Sequence, residues 1–171
     1  MSVEPIVDEK AKQEAEQKKK EFLEIRDFQG KLMYTCTDGE FEEIISETLM
    51  LGKFTKTFPL LQGKIELTYE TICEKDRAAG YKYIREYTEK NKDKLSQIEL
   101  DSFTSKVNII LQLVRIKNHG NTINLVQGEF DDRIALLNEA PELQVMLYSR
   151  WLGVFANITN KAFNYEDVLK N

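Results

Sequence analysis

Residues 54–69, FTKTFPLLQGKIELTY, decide how the rest of the chain must be arranged. In the second half Ile65, Leu67 and Tyr69 alternate with Lys64, Glu66, Thr68 and Glu70, which gives a strand one apolar and one wet face. In the first half Phe54, Phe58 and Leu60 share a parity, interrupted by Lys56, against Thr55 and Thr57. Gln62-Gly63 sits where a hairpin needs a residue that tolerates positive φ. A lone two-stranded ribbon is marginal in water, so its apolar face must lie on something else. The remainder of the chain reads as helix. The expected fold class is therefore α+β, mostly α: a helical bundle-like domain with one β-hairpin at about residues 54–69 and a charged N-terminal helix.

Working outward, residues 8–28 read as a highly charged helix with Ala11, Ala15, Phe22 and Ile25 on a narrow seam that Lys18 breaks. This predicts two parts: a charged arm over residues 1–28, and a single helical domain with the hairpin over residues 29–171. Thr37-Asp38-Gly39-Glu40 has the form of a capping box, opening a short helix with Phe41, Ile44, Ile45, Thr48 and Leu49 on one side and Gly52 at its end. After the hairpin, Thr71-Ile72-Cys73-Glu74 reads as a second capping box. It starts a helix to about Glu89 with Ile72, Ala79, Tyr83 and Tyr87 on one side and Gly80 at a close helix crossing. Ser96-Gln97-Ile98-Glu99 is the third, and the helix it opens carries Phe103, Val107, Ile110, Leu111 and Val114, widened by Ile109, Leu113 and Ile116. That breadth predicts a central core helix, ended by Asn118-His119-Gly120-Asn121. Residues 122–126 have an extended character, and residues 129–138 read as a helix with Phe130, Ile134 and Leu137 inward. Pro141 suits a first helical position. From it a last long helix runs to about Ala162 with Leu143, Leu147, Trp151, Val154, Phe155 and Ile158 inward, followed by one short turn containing Tyr165, Val168 and Leu169.

Composition narrows the chemistry. A formal net charge of −5 gives a nucleic-acid role no electrostatic support. No apolar run approaches the ~20 residues that a membrane span needs. The first residues lack the apolar core of a signal peptide, which predicts a cytoplasmic chain with Cys36 and Cys73 as free thiols. Asn157-Ile158-Thr159 then matches a glycosylation acceptor by chance. With a single histidine, His119, and two well-separated cysteines, neither a nucleophilic triad nor a zinc ligand set is expected. Glu42-Glu43 and Asp131-Asp132 are sequence neighbours that diverge by about 100° on a helix, so neither pair converges on a metal. The isolated glycines make no phosphate loop. The expectation is no catalysis, no metal and no cofactor. Tyr148, Arg150 and Trp151, residue types that dominate interface energies, mark the last helix as partner-binding.

The arrangement KFTKTFPLLQGKIELTYETICEKDRAAGYKYI, a hairpin leading directly into a capped helix, resembles small tail proteins of contractile-tailed bacteriophages, in particular the baseplate hub assembly family and next to it the tail assembly proteins. Phe58, Pro59, Gly63, Ile65, Leu67 and Tyr69 carry the hairpin part of the resemblance, Thr71 and Glu74 the helix start, and residues 165–169 the acidic-aromatic tail. The resemblance implies a non-catalytic structural or assembly role, in the virion or in the host cytoplasm during assembly. It implies multiple copies in a large assembly and contacts with other tail or baseplate proteins. Phe22 and Ile25 of the arm and Phe54, Phe58 and Tyr69 of the hairpin would make those contacts, by helix-in-groove docking or strand addition. The alternative is a cytoplasmic helical adaptor or regulatory protein binding one soluble partner through residues 148–155.

Overall fold

The computed structural model describes residues 9–27, 29–126 and 128–165. The predicted turn at Val168 and Leu169 lies outside them. Helix α1 (Glu9–Leu23) leads into a small antiparallel hairpin, β1 (Glu24–Arg26) with β2 (Leu32–Thr35). Helix α2 (Asp38–Leu51) precedes the expected ribbon, β3 (Thr55–Leu60) and β4 (Ile65–Glu70). Helices α3 (Glu74–Lys90) and α4 (Gln97–Gln112) follow, then β5 (Leu113–Asn118), β6 (Asn121–Asn124), α5 (Phe130–Glu139) and α6 (Glu142–Phe163). The fold is mixed α+β and mostly helical.

The ribbon is present, and it is half of a larger sheet. Four antiparallel strands run in the order β3-β4-β5-β6. The central helix predicted through Ile116 stops at Gln112, because β-branched Val114 and Ile116 alternating with Arg115 and Lys117 suit a strand beside β4. His119-Gly120, expected to end a helix, instead forms the turn between β5 and β6, with φ of 47° and 87°. Residues 122–126 are thus extended in part, as anticipated. A single cross-strand row, Phe58–Leu67–Ile116–Ile123, crosses all four strands on one face. Its first three members are buried and its last lies at the sheet edge.

That face is covered by α6. Phe54 stacks on Phe155 with centroids 6.1 Å apart, Tyr69 stacks on Phe155 at 5.8 Å, and Phe58 meets Trp151 at 5.0 Å. The Tyr69 hydroxyl, buried with its ring, donates to the backbone carbonyl of Tyr148 at 2.8 Å. A second aromatic group joins the remaining helices: Tyr87 lies 3.7 Å from Phe103, and Tyr83 stacks on Phe130 at 5.0 Å. At Gly80 a Cβ would come within 2.6 Å of a Leu111 methyl, so the glycine marks the close helix crossing expected of it.

Two of the three capping boxes form, at Thr37/Glu40 and Ser96/Glu99. The third does not. Cys73 is the N-cap of α3 without a side-chain cap bond, and the Thr71 hydroxyl instead accepts from the Phe54 N–H at 2.9 Å, closing the sheet. Pro141 stands one position earlier than expected, at the N-cap of α6. Leu49 and Leu143, expected inward, are exposed.

The arm boundary also moves. The helix ends at Leu23 rather than at residue 28, and Ile25 is buried on β1. Phe22 contacts Phe41 at 5.7 Å and Tyr165 at 6.3 Å, while Lys161 Nζ donates to the Phe22 and Glu24 carbonyls at 2.7 and 2.8 Å. From Lys19, which pairs with Asp38 at 2.6 Å, the chain belongs to the body. β-branched Ile25 and the paired β2 strand offer this segment burial that a continued charged helix could not.

Lys56, which interrupts the apolar parity of β3, has a physical account. Its ammonium bonds the Glu40 carboxylate, and Glu40 also accepts from the Tyr34 hydroxyl at 2.6 Å and from the Thr37 N–H at 2.9 Å. Desolvation works against a charged Glu40, but the bonds from Lys56, Tyr34 and Thr37 outweigh it and hold the carboxyl below its ordinary range. A depressed folded-state value contributes stability that is complete above the unfolded value of 4.5 and lost as pH falls through the folded one. Lys56→Met leaves that carboxylate without its cation, and we expect it to cost about 2 kcal/mol in urea unfolding at neutral pH. Adding Glu40→Gln should recover much of the loss, and Glu40→Gln alone should flatten the acid limb of the stability profile. A Lys56→Met chain as stable as the parent would contradict the pairing.

Candidate functional site

The fold divides the eight residues expected to meet partners into three sets. Ile25, Phe54, Phe58, Tyr69 and Tyr148 are buried in the chain's own core, where their side chains present no surface. The reason is the sheet: once α6 covers it, the apolar residues of the hairpin become the floor of the molecule. Phe22 and Trp151 are half-buried against the same core. Arg150 reaches the surface, and its guanidinium pairs with Asp27 at 2.5 Å. Desolvation opposes ionisation of Asp27, but N–H groups of Lys31 and Gln29 together with Arg150 hold its carboxyl below the usual range. Of the eight, Arg150 alone combines a charged head with an open cleft.

That cleft runs between the β1–β2 turn and α6. Arg26, Asp27 and Gln29 form one wall, and Leu143, Met146, Leu147 and Arg150 the other, around a volume of about 880 Å³. Leu143 and Met146 are exposed there. A second opening, of about 430 Å³, lies at the far end of α6 between Thr48, Gly52, Tyr81 and Phe163. Beside it the last turn of α2 exposes three consecutive large side chains, Leu49 at 78%, Met50 at 81% and Leu51 at 68%. Tyr81 and Phe163 are exposed as well. The run LML was visible in the sequence, but its helical periodicity alone assigns one residue inward; in the fold α2 lies against α6 with Phe41 and Ile44 as its buried side chains, and all three face out.

Among the described residues no three His, Cys, Asp or Glu side chains gather as a metal site requires. His119 is exposed in its hairpin turn, with Nδ1 2.6 Å from Asn118 Oδ1. Both cysteines are free, as expected. Cys36 is buried, and desolvation, reinforced by nearby Glu40, pushes its thiol up to about 12. Exposed Cys73 donates from Sγ to Asp76 Oδ2 at 3.0 Å. Burial likewise raises the phenols of Tyr69 and Tyr83, with Asp131 adding to the effect at Tyr83. Both are phenols packed in aromatic clusters with a hydrogen-bonded polar tip.

No family model, curated protein or solved structure matches the chain.

Because the thiolate is the reactive form of cysteine, an aromatic disulfide reagent should modify Cys73 alone in the native protein. Cys36 should react only after denaturation. Two equally fast thiols in the native chain would show that the β2–α2 region opens readily.

Proposed function

We propose that the chain is a non-catalytic structural or assembly component of a contractile bacteriophage tail baseplate, acting through contacts with other tail or baseplate proteins. The observation that carries this is the exposed apolar end formed by Leu49, Met50 and Leu51 beside Tyr81 and Phe163. Contiguous large apolar side chains left in water mark a surface that another protein covers. α1 supports the same reading: its first turns are exposed, and an isolated helix of about 15 residues is marginal in water without something to lie on. The net charge of −5 favours protein partners over nucleic acid. Among the described residues no helix is long and apolar enough to cross a membrane. On this reading the protein works in the virion or in the host cytoplasm while the tail is built.

The groove of Leu143, Met146 and Arg150 favours a second reading, a helical adaptor holding one soluble partner on α6. The mass of the native complex separates the two. A fixed copy number in a very large particle fits a baseplate component, and a small soluble complex fits the adaptor.

Deleting residues 1–18 keeps Lys19, Phe22 and Ile25 with the body, so the shortened chain should fold and unfold as the parent does. Its incorporation into tails should be lost. Equal incorporation of both chains defeats the role given to the arm. Leu49→Glu with Met50→Glu should leave stability within about 0.5 kcal/mol, as exposed positions do, while weakening capture by baseplate proteins.

A further inference from the structure

The two edges of the four-stranded sheet are not equivalent. In an antiparallel ladder successive residues direct their N–H and C=O alternately toward one neighbour and the other. The bond from Thr71 N–H to the Phe54 carbonyl sets that phase for β3, so Thr55, Thr57 and Pro59 face away from β4. Pro59 has no N–H to offer, and a proline at an outward position is a common guard of an edge. The opposite edge carries no such guard. The bond from Leu125 N–H to the Val114 carbonyl sets the phase for β6, so Ile123 bonds back to Ile116 while Thr122 and Asn124 face outward. β6 reads Asn121-Thr122-Ile123-Asn124, without a charge or a proline, and all four residues are exposed. Among the described residues no strand lies beyond it.

We infer that β6 pairs antiparallel with β6 of a second copy of this chain, joining the two sheets into one across a two-fold axis. The register is dictated by the outward groups. Thr122 of one copy and Asn124 of the other exchange both bonds of a narrow pair, and the symmetric pair does the same. Ile123 then faces its own counterpart on the axis, as a non-hydrogen-bonded pair with Cα atoms about 4.5 Å apart, the closest side-chain approach a sheet provides. This is the residue that ends the apolar row Phe58–Leu67–Ile116–Ile123, and it is 44% exposed. Pairing extends that row into a second copy of itself and removes the exposed isoleucine from water. No like charges meet at this edge, and Asn, Thr and Ile fall opposite Leu125, Asn124 and Ile123 respectively. A foreign strand would satisfy the same hydrogen bonds, but the self-pairing register alone places the one apolar outlier of β6 on the axis. An isologous contact of this kind uses up the unguarded edge in each partner and stops at a dimer.

The inference deepens the proposed function by naming a second copy as one partner, and it is tested on the purified full-length chain, so its outcome is independent of the tail-incorporation assay. Sedimentation velocity should show a monomer–dimer equilibrium that shifts with concentration. Ile123→Lys sets two ammonium groups against each other on the axis and should weaken the dimer about tenfold or more. Thr122→Pro removes an outward N–H while sparing the bonds to β5, and should weaken it too. Leu143→Lys, in the α6 groove, should leave the equilibrium unchanged. In a Cys73→Ser background, Ile123→Cys should oxidise to a disulfide-linked dimer. The inference is overturned by a parent chain that stays monomeric at every concentration, by a dimer indifferent to both β6 substitutions, or by an Ile123→Cys chain that does not cross-link.

Discussion

The contact on which the molecule depends is the seating of α6 on the apolar face of the sheet. Phe58 and Tyr69 come from two adjacent strands, Phe54 directly precedes the first of them, and Trp151 and Phe155 stand one turn apart on the helix that covers them. Burying each such ring is worth about 2 kcal/mol, against about 1 kcal/mol net for a hydrogen bond such as that from Tyr69 to the Tyr148 carbonyl. The rings therefore set the strength of the contact. The hydroxyl adds a directional tie between sheet and helix through the Tyr148 carbonyl. The other parts of the chain arrange themselves around this pair of layers: α2 lies along α6, and α3, α4 and α5 are joined by Tyr83, Tyr87, Phe103 and Phe130.

Polar side chains do a second kind of work, tying the N-terminal hairpin to this body. Lys161 on α6 donates to carbonyls at the α1–β1 junction, Arg150 pairs with Asp27 in the β1–β2 turn, and Lys56 of the sheet reaches Glu40 of α2 and lies over the ring of Tyr34 on β2. Each of these cations lies beside partly buried carboxylates or carbonyls, where a lost partner would leave a desolvated charge. The hairpin is thus part of the body, and among the described residues the first turns of α1 project from it.

Most of the aromatic residues are spent on packing, Tyr81 and Phe163 excepted, and the large aliphatic side chains left exposed lie outside the covered layer. Leu49, Met50 and Leu51 stand at the last turn of α2, beyond its buried residues Phe41 and Ile44. Ile123 is exposed at the edge strand, where the row it belongs to ends. These positions have little in common in sequence pattern, and they share only the accident of lying beyond the covered layer. That is the physical content of the reading as a contact protein: the surface left over is apolar and uncharged in patches.

Local rules in the sequence were enough for the elements that local energetics govern. The ribbon at residues 54–69 followed from strand alternation, two helix starts from Ser or Thr followed by Glu, the end of α2 from Gly52, and the buried positions Val107, Ile110, Val154, Phe155 and Ile158 from helical spacing. Where two patterns overlapped, the tertiary structure chose. Residues 113–116 satisfy a helical face and a strand alike, and the free edge of β4 made them a strand. Thr71 could cap a helix or bond the Phe54 N–H, and the sheet claimed it. Ile25 could extend a charged arm or enter the core beside Lys161, and burial won. The division between core and contact surface was decided last of all. An aromatic residue reads the same in a sequence whether another chain or its own α6 covers it, because burial depends on what packs above a side chain and not on its neighbours along the backbone.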